Sequence, residues 1–188
     1  MDARDASKAA SMRVRRLTIR NFRGIASGVI DFPGHTLLVG GNNVGKSTLC
    51  EALDLVLGPE RLYRKPVVDE HDFFGGEYIG PDGAPVQIRI DAILVGIGDE
   101  AERRFKAHLR RWNDAVRVFV DETAEGPEGA DAPGTMWALP VSFIGQYDRA
   151  EDDFIGNTFF SHPVSEVEGA AEDPEALIGA GLRKFTRE

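Results

Sequence analysis

The stretch "RVRRLTIRNF" (13–22) alternates apolar Leu17 and Ile19 with polar Thr18 and Arg20, the two-residue period of a strand with one buried face. A glycine-containing turn leads into "GVIDF" (28–32), closed by Pro33-Gly34, so the two runs predict a pair of antiparallel strands. "TLLVG" (36–40) is continuously apolar, the pattern of a short strand buried on both faces. After Lys46 the period changes. Leu49, Ala52, Leu53, Val56 and Leu57 fall at helical spacing, and Gly58-Pro59 marks the stop. Residues 60–85 are rich in turn formers and poorly periodic, which predicts mostly loop, whereas "VQIRIDAILVGI" (86–97) predicts a strand. "DEAERRFKAHLRRWN" (99–113) reads as a helix, with Asp99 and Glu102 as a capping-box variant and Ala101, Phe105, Leu109 and Trp112 on one face. "AVRVFVDE" (115–122) and "TMWALPVSFI" (135–144) read as strands joined by a long Gly/Pro-rich hairpin connection.

Composition bounds the architecture. A chain of 188 residues, 42% hydrophobic, supports one buried core, placed here over residues 13–162. Residues 1–12 read as a disordered tail, and residues 163–188 as an acidic tail with a weak helix around 174–185, leading into further sequence. No apolar run reaches the roughly 18 residues of a membrane span, and Cys50 is the sole cysteine, so no internal disulfide can form. The expectation is a cytoplasmic protein without a membrane partner. The net charge of −9 is unevenly spread: residues 1–23 carry seven basic and two acidic side chains, and residues 148–175 carry nine acidic ones and a single arginine. A basic composition that would by itself argue for nucleic-acid binding is therefore absent.

The candidate chemistry lies between the run at 36–40 and the helix after it. Gly40, Gly45, Lys46 and Ser47 satisfy the G-x-x-x-x-G-K-[ST] pattern, with Gly41, Asn42, Asn43 and Val44 inside the loop and Thr48 following it. Glycines let successive backbone N–H groups point inward at phosphates, and a helix starting at the loop adds its positive end. On this reading Lys46 reaches the β- and γ-phosphates and Ser47 ligates Mg²⁺. No Asn-Lys-x-Asp guanine-reading motif is present, so the nucleotide expected is ATP.

"LTIRNFRGI", a strand, and then "LLVGGNNVGKSTLCEALDLVLG" resemble the start of the ATP-binding-cassette-like ATPases of DNA maintenance, the RecF and structural-maintenance-of-chromosomes type. Asn42-Asn43 and "QYDRAEDDF" (146–154) make the likeness greatest to the OLD family (overcoming lysogenization defect) of ATP-dependent nucleases, over roughly residues 13–160. The resemblance implies an α/β fold, a P-loop NTPase lobe of ABC/RecF/SMC type with a mixed sheet, antiparallel N-terminal strands and an inserted helix. It implies Arg23 as a contact to phosphate or base, with an ordinary turn cation as the alternative. It also implies Gln146 beside Mg²⁺ or the attacking water, with a plain polar strand end as the alternative. Two copies of such ATPases sandwich ATP, so a homodimer is implied when the protein is full length, with DNA met through the remainder.

Other parts of that machinery are missing. Asp121 and Glu122, ending "VRVFVDE", could hold Mg²⁺ and orient water, but Arg117 interrupts the apolar run and no signature sequence precedes it, so a hairpin strand explains them more simply. No Asp-x-Asp pair of a Toprim nuclease occurs, Glu151, Asp152 and Asp153 read as a solvated acidic turn, and the four histidines show no zinc spacing. Arg103, Arg104, Lys106, Arg110 and Arg111 could meet DNA phosphates, although a solvated basic helix face is favoured. The expectation is an N-terminal, incomplete ATPase lobe. The rivals are a self-contained small NTPase using Asp121 and Glu122, and a non-hydrolysing, nucleotide-gated interaction module.

Overall fold

Strand β1 (Arg13–Phe22) buries the alternate positions Leu17 and Ile19, and Phe22 past the left-handed Asn21 joins them to seed the main core. The computed structural model describes residues 11–42, 45–58, 67–120 and 132–161, and the backbone of 183–184. Arg23 and Gly24 turn the chain into β2 (Ile25–Asp31), which pairs antiparallel with β1 in the register Leu17↔Ile30 and Phe22↔Ile25, as the alternation predicts. β3 (Ile88–Val95) and β6 (Thr135–Asp148) continue the sheet, and β4 (Arg110–Asn113) and β5 (Val118–Phe119) complete the order β2-β1-β3-β6-β4-β5. β7 (Asp153–Phe160) pairs with the C-terminal part of β6, and β8 (Arg183–Lys184) pairs with β7.

Helix α1 (Lys46–Leu57) lies on one face of this sheet. Its buried residues Leu49, Ala52, Leu55 and Val56 join Leu17, Ile19, Ile88, Ile90, Val141 and Phe143 in one cluster. Each fully buried aliphatic side chain contributes roughly 1.5–3 kcal/mol, so this seam dominates the packing energy. The helix face is rotated slightly from the expected one: Leu55 is buried, whereas Leu57 is 40% exposed at the last turn. Gly58 ends the helix as expected, its N–H donating to the Asp54 carbonyl at 2.7 Å.

A smaller cluster fills the opposite face, where Ile93, Val95, Trp112 and Ala138 pack with Phe119 and Met136. It corrects the expected helix 99–113. α2 covers only Asp99–Phe105, a 3-10 turn follows over Lys106–His108, and Arg110–Asn113 form β4. Trp112 gains more by inserting between Phe119 and the sheet, at 5.1 Å between ring centroids, than by sharing a helical stripe with Phe105. Gly98 rather than Asp99 is the N-cap, with Asp99, Glu100 and Glu102 in the first turn and Arg103 and Arg104 in the last, the order the helix dipole favours. β5 pairs with β4 and not with β6, so the expected hairpin across 123–134 is replaced by an inserted strand.

Three further expectations change. Every strand pairing among the described residues is antiparallel, so the sheet here is not mixed. "TLLVG" is not a strand: Leu37 is 85% and Val39 83% exposed, because no described strand lies beside it to take up its backbone groups or cover its side chains. Arg183–Lys184 is strand and not helix. The rest of the expected acidic tail, His162, the expected N-terminal tail up to residue 10, and Asp121 and Glu122 lie outside the described residues. Glu151 and Asp152 sit in the turn joining β6 to β7, and among the described residues no group of His, Cys, Asp and Glu is placed to hold a metal. Among them, too, no helix is long and apolar enough to cross a membrane.

Arginines pin the edges of the sheet. Arg15, its side chain 8% exposed, pairs with Asp114, which also accepts from Trp112 Nε1 at 3.2 Å. Arg16 donates to Asp31 at 2.8 Å, and Arg117 donates to the same carboxylate at 2.8 Å. The hydrogen bond from Arg16 holds the Asp31 carboxyl below its ordinary value against the opposing effect of burial. At Asp114 burial acts upward most strongly, but the hydrogen bonds from Arg15 and Trp112 and the nearby positive charges together lower it.

Two outcomes follow from this packing. Because both carboxyls titrate lower in the folded chain than in the unfolded one, their stabilisation is present above about pH 4 and is lost as pH falls through the folded values. Urea midpoints taken from about pH 7 down to about pH 3 should therefore fall less steeply for Asp114→Asn than for the parent. At neutral pH that variant should be less stable by about 2 kcal/mol, since Arg15 stays buried without its partner. Gly156→Ala should cost about 1–3 kcal/mol in thermal unfolding, because the added carbon would lie 2.7 Å from the buried Phe143 ring and 3.1 Å from Val67. Gly28→Ala, with its nearest neighbour at 3.5 Å, should leave the melting temperature within a few degrees.

Candidate functional site

Gly45 adopts φ 87°, a left-handed conformation that costs other residues energy, and α1 starts at the next residue. No side chain caps this helix, so the N–H groups of its first turn remain turned toward the loop. The Lys46 ammonium folds back over the loop and donates to the Gly40 carbonyl at 2.8 Å and to the Gly41 carbonyl. In this arrangement loop carbonyls occupy the lysine donors that phosphate oxygens would otherwise take. Ser47 is exposed at the helix start and Thr48 half-buried beside it, while Gly41 and Asn42 are exposed on the loop. Asn43 and Val44 lie outside the described residues. An uncapped helix start, a left-handed glycine and a lysine aimed along the loop fit a nucleotide's phosphates, and the Ser47 hydroxyl stands where it could ligate an accompanying Mg²⁺.

Arg23 is brought to the same helix. It occupies the first position of the β1–β2 turn at φ 50°, and its N–H donates to the Asp72 carbonyl at 2.7 Å. Its Nε donates to Asp72 Oδ1 at 2.8 Å, a terminal guanidinium nitrogen pairs with Glu51 on α1, and the group lies 5.4 Å from the Phe22 ring centroid. Glu51 is four residues after Ser47, so the two share a helix face one turn apart. An open cleft of about 650 Å³ adjoins this cluster, lined by Arg23, Gly24, Asp69, Asp72, Phe73 and Gly76 among others. Its wall is rigid: Asp69 and Asp72 form a reciprocal capping box around the turn 70–72.

Gln146 lies elsewhere. In β6 its neighbours Gly145 and Tyr147 face the α1 side, Gly145 against Val68 and Phe143, and Tyr147 against Phe154. Strand alternation therefore puts Gln146 on the opposite face, where its side-chain oxygen accepts from Gln87 Nε2 at 2.8 Å. The structure unites Arg23 with the phosphate-loop helix and separates Gln146 from it. The five basic residues expected on one helix are also separated, with Arg111 of β4 stacked 4.1 Å from the ring of Trp137 on β6 and Arg110 bonded to the Leu109 carbonyl.

Sequence reading missed Glu51 and Asp72 as the partners of Arg23. Glu51 could have been found from its helical spacing to Ser47, whereas Asp72 carries no local signal, since it meets Arg23 across 49 residues of chain.

Comparison with known proteins agrees with this geometry. Over 48 residues the chain is 48% identical to uncharacterized protein Rv1278 of Mycobacterium tuberculosis and to uncharacterized protein Mb1309 of Mycobacterium bovis. The matched stretch is 24% of this chain and 6% of each relative, so the chain spans only a small part of their length. A family model described as an AAA ATPase domain matches residues 12–116, which takes in β1, β2, the phosphate loop, α1, β3, α2 and β4. With more than half of its length matched, the chain belongs to this family of AAA ATPase domains, whose membership implies ATP binding.

Proposed function

We infer that this chain is the nucleotide-binding lobe of an OLD-like or RecF-like ATPase that acts on DNA, and that it holds ATP and Mg²⁺ through residues 40–48. The observation that carries the reading is the loop itself: Lys46 lies along the Gly40 and Gly41 carbonyls at the mouth of an uncapped helix. Bound nucleotide would draw the ammonium from those carbonyls to the more strongly charged phosphate oxygens, while backbone N–H groups at the start of α1 meet the same phosphates. Mg²⁺, held by Ser47, would screen phosphate charge. Gln146 has no part in this assignment because it faces away from α1.

Hydrolysis needs groups from further polypeptide in this reading. Leu37 and Val39 stand exposed immediately before the phosphate loop, an apolar run that strands supplied from elsewhere would cover in this reading. The rival assignment to Asp121 and Glu122 falls on residues outside the described ones, and β5, which precedes them, lies at the outer edge of the sheet. Pairing of two full-length copies around ATP, and contact with DNA through the rest of the protein, complete the proposal.

ATP binding and steady-state turnover by the 188-residue chain with Mg²⁺, beside Lys46→Ala, test it. The parent should bind, the variant should bind about 10- to 100-fold more weakly, and neither should turn over appreciably. Unchanged binding in Lys46→Ala would overturn the nucleotide assignment. Robust turnover in the parent would instead make Asp121 and Glu122 the catalytic pair, and Glu122→Gln should then abolish it.

A further inference from the structure

Arg23 is held at two points of different character. Its root is fixed, since both the N–H and Nε bond to Asp72, and Asp72 is itself locked in the turn 70–72. Its tip is held by Glu51 alone among the carboxylates of α1, in a pair whose side chains are 37% and 36% exposed. That contact runs through the single shielded oxygen Oε2 of Glu51, whereas a guanidinium facing a nucleotide's phosphates makes charge-assisted, often bidentate bonds to several oxygens. Glu51 and Ser47 lie on one helix face about 6 Å apart. Both side chains lean toward the helix start, so the guanidinium held by Glu51 rests on the same helix face as Ser47.

We propose that Glu51 is a positioning residue that holds Arg23 in a resting state, and that a nucleoside triphosphate's phosphates compete with Glu51 for the same guanidinium nitrogens. This rests on the assignment of residues 40–48 as the phosphate site. Asp72 acts as the anchor: its carbonyl holds the Arg23 backbone N–H in place while the planar guanidinium moves as a unit, through rotation of the side-chain bonds, from Glu51 toward the helix start. The strained φ of Arg23 suits this role, because the turn conformation is maintained by the backbone N–H bond to the Asp72 carbonyl whichever partner the tip takes. Lys46 is engaged in the same way, with its ammonium on the Gly40 and Gly41 carbonyls. Both cations of the site therefore rest on internal acceptors that phosphate must displace.

The test is titration of the full chain with a fluorescent ATP derivative and Mg²⁺, using the parent, Glu51→Gln, Arg23→Ala, the double variant and Lys46→Ala, with circular dichroism confirming that each is folded. Removing the competitor should tighten binding about three- to tenfold in Glu51→Gln, and Arg23→Ala should weaken it by a similar factor. In the Arg23→Ala background the Glu51→Gln change should have little effect, because no guanidinium remains to release. Glu51→Ala provides a second variant with the same expectation. Binding unchanged or weakened by both Glu51 substitutions would overturn the proposal. So would equal tightening with and without Arg23, which would show only that a negative charge has left the helix start. If the parent fails to bind, or Lys46→Ala binds as the parent does, the phosphate site itself is wrong and the proposal falls with it, a result distinct from a failure at Glu51 alone.

Discussion

The burial of one face of α1 against the sheet is the contact on which the rest of the molecule depends. Leu49, Ala52, Leu55 and Val56 can leave water only by meeting Leu17, Ile19, Ile88, Ile90, Val141 and Phe143, which come from three different strands. That contact fixes the position of the helix start, and the helix start carries Lys46 and Ser47. A loop of glycines cannot place a lysine by itself, since its backbone is too free. Here the packed helix supplies the reference frame, and the loop has only to close the distance between the end of β2 and residue 46. The same packing turns Glu51 toward the β1–β2 turn, so the site and the core share one rigid element.

Around this seam the polar groups are arranged to hold loops rather than to fill the interior. Asp72 anchors the 67–76 segment to Arg23, and that segment in turn places Val67 and Val68 over Gly145 and Gly156, where any larger residue would meet the Phe143 ring. The cleft beside Arg23 is walled by this segment, which the Asp69–Asp72 capping box and the buried Val68 and Phe73 hold in place together. On the other face, Arg15 and Arg16 tie β1 to Asp114 and Asp31, so the strand that ends at Arg23 is braced along its length. In the proposed site the cations rest on internal carbonyls and carboxylates, partners that phosphate would have to displace.

Where one local period ran long enough, the chain declared its structure. β1, β2, α1 and β3 each hold a regular alternation or helical spacing that matches the surface they bury. The reading failed where two periods compete within one segment. Residues 99–113 contain a helical stripe through Phe105, Leu109 and Trp112, yet Trp112 is placed in a strand between Phe119 and Met136, and Met136 is distant enough in sequence to be invisible to a local window. The run at 36–40 failed for the opposite reason. Its apolar pattern calls for neighbours on both faces, and among the described residues none comes beside it.

The sequence by itself determined the phosphate loop, because G-x-x-x-x-G-K-[ST] is a contiguous pattern whose geometry follows from glycine torsions and a helix start. It also determined the amphipathic face of α1 and the antiparallel pairing of β1 with β2, since period and turn chemistry are local properties. Tertiary structure alone decided which cations and carboxylates meet. It joined Arg23 to Glu51 and Asp72, and through strand parity it turned Gln146 toward Gln87 and away from α1. The physical reason is that a side chain's partner depends on sheet register and on which face a residue occupies. A shift of one residue reverses that face, and no local stretch of sequence encodes the register.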